Sequence, residues 1–405
     1  MATVIKRKWK TSKGETREAW VLAYTDAGGN RHKEQFTKKR EADARRVEVE
    51  GQVSKGTFRA DAANTTVDDA VGDYVKYLEG RNKRGEKVTQ LYLKTTKAHL
   101  RNYVSPNEDQ NVEFDGGIGA TKLSQLTARG VGDFRDSLRD AGVSVPTTRQ
   151  ILGSLSRTLG YAVSSDKVAV NVAAGVRVIG KRDDGPKKIV PPTKEAMAAI
   201  LRYADQDFRI KIMFAAASGL RASELHAMPW GNLDLESGSV KVDRRVDAFG
   251  NLDVTKSDAG MRSVPLGAAV ITALKEWRTR SKHTKDDDLV FPNNTGAFTN
   301  HDNMMKRKYK PLLKLAAKKE AEAKRKFSSV GWHALRHFAI STWIEAGLTP
   351  KTVQTFAGHS TLAITMDRYG HLFPSDDHKA TMDKIAASIF RDGAQMAHDT
   401  PKAAE

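Results

Sequence analysis

The second half of this 405-residue chain carries a series of short segments rich in groups that handle phosphate. Ser218-Gly219-Leu220-Arg221-Ala222-Ser223-Glu224-Leu225 places a guanidinium directly after a glycine turn, at the start of a helix. Lys256 lies in Thr255-Lys256-Ser257-Asp258-Ala259-Gly260-Met261-Arg262, which reads as the tip of a hairpin, with Arg262 as its rival cation. Trp332-His333-Ala334-Leu335-Arg336-His337 sets His333 and Arg336 three apart, on one face of a helix. Ala357-Gly358-His359-Ser360 begins another helical stretch, and Met366-Asp367-Arg368-Tyr369-Gly370-His371 follows it. Guanidinium forks match pairs of phosphate oxygens. Histidine titrates near neutrality. A tyrosine becomes a nucleophile when its neighbours help it lose its proton.

Other chemistries are absent from the pattern. The chain has no G-x-x-x-x-G-K-[ST], no G-x-G-x-x-G and no G-x-S-x-G. His333 and His337 are spaced like two zinc ligands, but Ala334 stands where the metalloprotease motif needs glutamate, so no metal is expected. The lack of cysteine excludes disulfides, thiolate metal sites and cysteine catalysis. Taken singly, each residue has a plainer reading. Arg221 could simply pair with Glu224, which reads as structural support beneath the site. His337 and His371 read as ordinary histidines, and Tyr369 as one of nine tyrosines.

Taken in order, SGLRASEL, TKSDAGMRSVPL, HALRH, AGHS and TMDRYGH resemble the tyrosine recombinase (phage integrase) family. The resemblance is carried by residues 193–390. It implies that Arg221 and Arg336 clamp the scissile phosphate, that His333, His359 and Lys256 assist the phosphate and its proton transfers, and that Tyr369 is the nucleophile. Ala334 and Ala357 depart from the Asp and Leu common at those places, and neither departure removes a catalytic group. The chemistry is consistent with that assignment. Two guanidiniums neutralise charge gained at phosphorus, a type of stabilisation worth about 3–4 kcal/mol per donor. His333 suits a general base, and Lys256 a general acid for the leaving 5′-hydroxyl. No cofactor is needed, because a phosphotyrosyl bond conserves the energy for rejoining.

Three regions must position these groups. Residues 1–60 carry net +7, with a strand over Ala19–Tyr24, a turn at Asp26–Asn30, a returning strand from Arg31 to Phe36 and a helix from Lys38 to Val53. A three-stranded sheet plus one helix is expected, similar to the arm-type DNA-binding domain of temperate-phage integrases. Residues 61–180 read as a helical core-binding domain. Thr66 caps a first helix with Val67, Val71, Tyr74, Val75 and Leu78 on its apolar face. Residues 88–104 supply a second helix with Leu91, Leu93 and Leu100, and 128–141 and 146–164 two more. Residues 181–192 read as a linker. Residues 193–392 are expected to form a mixed α/β catalytic domain, with short strands at 240–246, 252–255 and 261–264. Residues 393–405 read as a flexible tail. The fold class is thus multi-domain and mainly α.

The formal net charge of +18 points to a polyanionic partner. Candidate phosphate contacts are Lys6, Arg7, Lys8, Lys10, Arg81, Lys83, Arg84, Arg244, Arg245, Lys306, Arg307 and Lys308, the last three opening a run to Lys326 with ten basic and two acidic residues. The resemblance implies double-stranded DNA with core-type and arm-type sites, a homotetramer, a host DNA-bending protein and an excision directionality factor. A DNA-binding regulator without turnover and a type IB-like topoisomerase are the alternatives. No apolar run approaches the roughly 18 residues of a membrane span, and the basic N-terminus lacks the apolar stretch of a secretory signal. A cytoplasmic, nucleoid-associated protein is expected. The segment 377–390, with Met382, Ile385 and Ile389, is a candidate for docking onto a neighbouring subunit.

Overall fold

The computed structural model describes residues 2–10, 12, 15–26, 29, 31–55, 58–106, 111–180, 189–254, 260–373 and 382–388. The chain divides into two compact units, Met1–Gly185 and Pro186–Glu405.

The first unit opens with an antiparallel sheet of β1 (Thr3–Lys10), β2 (Thr16–Thr25) and β3 (Arg31–Phe36), β2 in the middle. Pairing runs from Thr3 opposite Ala23, and from Trp20 opposite Phe36. Helix α1 (Lys39–Ser54) turns Ala42 and Val49 inward, and Val49 joins Leu22, Tyr24 and Phe58 in a small core. Three strands and one helix match the sequence expectation.

The helical part of this unit starts at α2 (Val67–Lys83). Thr66 and Asp69 form a reciprocal capping box, so two of the helix's orphan N–H donors are satisfied. Val67, Ala70, Tyr74 and Leu78 recur at helical spacing and are buried. Next come α3 (Gln90–His99), continued by a π-helical turn over Leu100–Val104, then α4 (Ala128–Asp140) and α5 (Val145–Ser164). Helix α5 starts at the Ser144 cap and runs through the middle of the core, burying Ile151, Leu152, Leu155 and Leu159 among other residues. Leu91 was expected on the apolar face of α3 but is 51% exposed. The buried position on that helix is Thr96, and Leu100 and Val104 of the π turn supply the apolar contact.

The second unit begins with α6 (Lys194–Tyr203), capped by Thr193, and α7 (Gln206–Ser218), capped by Asp205. The short α8 (Ala222–His226) leads into β4 (Leu233–Asp234), β5 (Ser239–Val242), β6 (Arg244–Val246), β7 (Leu252–Val254) and β8 (Arg262–Pro265). These strands form two sheets. One has the order β4-β5-β8, and the other is the β6–β7 pair. The sequence suggested a hairpin centred on 255–262, yet β7 pairs with β6 while β8 pairs with β5. The hairpin turn is instead Asp247–Asn251, where Asp247 accepts backbone N–H bonds from Phe249 and Asn251. A single expected strand over 240–246 is two, broken at Asp243.

Helices complete the unit: α9 (Ala268–Arg280), α10 (His301–Met304), a π-helical turn over Met305–Tyr309, α11 (Lys310–Glu322), α12 (Trp332–Glu345), α13 (Pro350–Ala357) and α14 (Leu362–Tyr369). The main core joins α6, α7 and α9 to the sheet through Ile200, Phe214, Trp230, Val240, Val264 and Leu274. A smaller core of Ile340, Ile344, Val353, Ala357 and Tyr369 packs α12, α13 and α14 together. Residues 382–388 are helical, with Met382 and Ile385 exposed. Ile389, the rest of the expected docking segment, and the expected tail and most of the expected linker lie outside the described residues. Among the described residues no helix is long and apolar enough to cross a membrane.

Candidate active site

The site is organised by the last turn of α13. A helix end leaves carbonyls without intrahelical partners and carries the negative end of the helix dipole. Here three consecutive carbonyls each receive a different arginine. Arg262 Nε donates to Phe356 O at 2.8 Å, a terminal nitrogen of Arg336 to Ala357 O at 2.5 Å, and one of Arg221 to Gly358 O at 3.0 Å. Gly358 makes this possible by taking the left-handed conformation, φ 63°.

Each arginine arrives from a different element. Arg221 is the N-cap of α8, and its guanidinium also donates to Glu224 Oε1 at 2.8 Å. Arg336 projects from α12 and donates a second bond to Gly219 O at 2.7 Å. Gly219 ends α7 with φ 61°, and a Cβ there would sit 2.8 Å from the Trp343 ring. Glycine is therefore required twice over, for conformation and for space. Arg262 begins β8 and reaches both oxygens of Glu224, at 3.3 and 2.8 Å.

Counting donors separates the three. A guanidinium has five N–H groups. Arg262 spends four bonds on Glu224, Gly260 O and Phe356 O, and its side chain is 1% exposed. One N–H donor remains, on a side chain closed off from solvent. Arg221 and Arg336 each make two side-chain bonds, so each keeps three N–H donors. Arg262 is thus excluded as the alternative cation, and Lys256 itself lies outside the described residues.

Glu224 is the buried anion beneath this cluster. Burial pushes its carboxyl up, but the hydrogen bonds and charge of Arg262, then Arg221, more than offset that and hold it near 2. Burial, with Arg221 close by, pushes Arg336 down to about 9, so it remains charged at neutral pH.

Tyr369 ends α14, is 1% exposed and belongs to the smaller core. Its hydroxyl lies 2.6 Å from His337 Nδ1, and its ring stacks on His359 with centroids 6.2 Å apart. Burial raises the phenol's pKa, while Arg336 and then Arg368 pull against it. The resting phenol is therefore protonated, and with the His337 proton on Nε2 it donates to Nδ1; burial, His333 and Arg336 lower the His337 pKa to about 4. His337 was read from sequence as an ordinary histidine. The signal for it was its place one turn past His333, and the two rings meet edge to face at 4.9 Å.

His359 is buried and bonds Thr365 Oγ1 through Nδ1 at 2.9 Å. Burial and the Arg336 and Arg221 charges lower it to about 3. His333 stands at the mouth of the site, lowered by partial desolvation and then by Arg336, Arg368 and Arg221. A cavity of about 510 Å³ opens in front of Arg221 and His333, walled by His226, His301 and the β6–β7 turn. The described structure therefore brings together Arg221, His333, Arg336, His359 and Tyr369. It adds Glu224, Arg262, Thr365 and His337 as groups that hold them. Among the described residues no cluster of His, Asp and Glu suits a metal. His371 Nε2 lies 3.0 Å from Ile189 O.

Several of the candidate backbone-contact cations are engaged by nearby carboxylates. Lys6 and Lys8 share Glu18 at 2.8 and 3.2 Å, and Arg81 and Arg84 share Glu86 at 2.6 and 2.7 Å. Arg244 pairs with Asp243 and Arg245 with Asp253. Arg7, Lys10, Lys83, Lys306, Arg307 and Lys308 are exposed.

Paired guanidiniums, imidazoles and a buried phenol on this fold define a class, proteins that break and rejoin phosphodiesters through a tyrosine. Residues 193–376 match the model of the phage integrase family. A tyrosine recombinase XerC-like protein of Caldanaerobacter subterraneus is 24% identical over 369 residues, covering 84% of this chain and 88% of the relative. The transposase from transposon Tn916 of Enterococcus faecalis is 24% identical over 342 residues, covering 77% and 79%. Among solved structures, the Tn1549 transposon integrase in complex with transposon right end DNA superposes with a TM-score of 0.61 at 20% identity, covering 80% of this chain and 100% of that one. A lambda integrase tetramer bound to a Holliday junction gives 0.54 at 14% identity, covering 91% and 94%.

Proposed function

We propose that this chain is a site-specific DNA recombinase that integrates or excises a mobile element through a 3′-phosphotyrosyl intermediate. The observation that carries the reading is the seating of Arg221 and Arg336 on the adjacent carbonyls of Gly358 and Ala357, each with N–H donors to spare, beside the Tyr369 pocket. Those donors would grip the two non-bridging oxygens of a scissile phosphate. Tyr369 Oη attacks phosphorus, the bond to the 5′-oxygen breaks, and that oxygen takes a proton from Lys256. His359 adds a donor to the phosphate. The phenol proton passes to His337 Nδ1, already in contact at 2.6 Å. A phosphate between the arginines offsets the positive charge that depresses His337, so the base strengthens only when substrate is bound. On rejoining, His337 returns its proton to the phenolate and neutral Lys256 takes the proton of the attacking 5′-hydroxyl, with His333 at the cavity mouth as a further donor to the phosphate.

The proposed substrate is duplex DNA with core-type and arm-type sites, the 1–60 region taking the arm site. The proposed assembly is a tetramer joining two sites, helped by a DNA-bending protein and a directionality factor. The test is Tyr369→Phe on a nicked suicide duplex drawn from the flanks of the encoding gene. The variant should bind as wild type and form no covalent adduct on a denaturing gel. Recombination by the variant would remove Tyr369 as the nucleophile. Relaxation of any supercoiled plasmid without a specific site would favour a topoisomerase instead.

A further inference from the structure

A second cavity of about 420 Å³, adjoining the one at the site along Phe298, Thr299 and Asn300, is lined by Lys211 of α7, Phe291, Asn293, Arg307 and Lys308 among others. Lys211 is 5% exposed, yet it lines this cavity. Among the described residues its ammonium has no carboxylate and no hydrogen-bond partner, only the Phe291 ring at 5.6 Å. Burial, with Lys308 nearby, lowers the Lys211 amine to about 7, so it is only partly charged at neutral pH, and a bound anion would restore the charge. The carboxylate in the lining, Asp207, is engaged by Arg280 at 3.2 Å. Two more cations, Arg307 and Lys308, stand exposed at the rim, and Lys308 lies over the Phe208 ring at 5.7 Å.

Lys211 also acts on two neighbouring histidines. Buried His226 faces His301 across 3.3 Å, and its Nδ1 has no partner. Lys211 helps to depress both histidines. The cavity lining thus sets Lys211, Arg307 and Lys308 against one carboxylate, Asp207, which Arg280 engages. The cavity is large enough for a small ligand, and an anion would supply what the fold omits.

We propose that this cavity is a phosphate-binding site, with Lys211 as its floor and Arg307 and Lys308 as its rim. Phosphate suits three convergent donors better than a single carboxylate does, because it offers several acceptor oxygens. The phosphate could belong to a free phosphate ester or to a DNA backbone seated over the rim.

The test uses the full-length protein at constant ionic strength. Inorganic phosphate and a deoxynucleoside monophosphate are titrated against chloride while the melting temperature is followed. A free-ligand site raises the wild-type midpoint and leaves Lys211→Met unmoved. A backbone site gives no such rise, but Lys211→Met then lowers the slope of log affinity for DNA against log salt by about 0.9. Should Lys211→Met not fold, Lys308→Gln at the exposed rim must show the same response in weaker form. Wild type insensitive to phosphate, with a salt slope unchanged in the variants, overturns the proposal. A phosphate response equal in wild type and variants overturns it as well.

Discussion

At the level of single residues, the proton on Tyr369 is the main control. A phenol whose pKa burial has raised cannot attack until a neighbour takes its proton, and the acceptor in contact is His337. His337→Ala should lower the rate of adduct formation by about 10²–10⁴, the usual range for a general base, while DNA affinity stays at the wild-type level in a gel-shift titration. His337→Gln, which can still accept the phenol's hydrogen bond, should keep Tyr369 in place but not restore the rate. If His337→Ala cleaves as fast as wild type, the proton leaves by another route. Arg262 makes the opposite case. Its sequence context, among the cations near Lys256, suggested chemistry, but its buried guanidinium makes four bonds to Glu224 and backbone carbonyls. Nothing in the sequence separates an arginine with free donors from one without, because that depends on which carbonyls the fold brings to it.

Among elements, α13 with its left-handed glycine and the α7 terminus at Gly219 form the frame of the site. Glu224 ties this frame to β8. Removing one member of a buried ion pair strands the other, at a cost of about 3–5 kcal/mol. Glu224→Gln should therefore destabilise the protein by roughly that amount in urea titrations, with Arg221 and Arg262 losing their shared anchor. A loss well under 1 kcal/mol would mean that the carboxylate does not hold the cluster. Gly219→Ala should also destabilise, since the new methyl meets Trp343 in a conformation alanine avoids. Helices were legible in the sequence because caps and apolar spacing are local. Thr66, Thr193 and the Gly219 turn all stand where periodicity placed them. The strands of the second unit were less so. Three short runs with a turn between each look like one meander, and only non-local pairing assigns β8 to β5 and β7 to β6. Likewise α3 hid its buried face, because the apolar contact moves into the π turn at Leu100–Val104.

For the molecule as a whole, several histidines are stored uncharged. His226, His359 and His337 lie near 2, 3 and 4, below the ordinary value of 6.5. With folded values lowered, the unfolded chain binds more protons on the acid side, so stability is complete above pH 6.5 and falls as the pH drops toward those values. Equilibrium unfolding at pH 7.5, 6 and 5 should show this decline, with up to one proton taken up per histidine. A flat profile over that range would mean that these rings are already open to solvent. Glu224, held near 2, adds to the loss only below about pH 4.5, its ordinary carboxyl value. The histidine decline should therefore come first. The arginine seats on α13 have a further consequence. Because Ala357 and Gly358 serve through their carbonyls, the gap between the two forks proposed to grip phosphate is ruled by one peptide link. Evolution could therefore exchange the side chain at 357 for anything the small core accommodates without recalibrating the grip. At 358, where the backbone must bend left, that latitude ends.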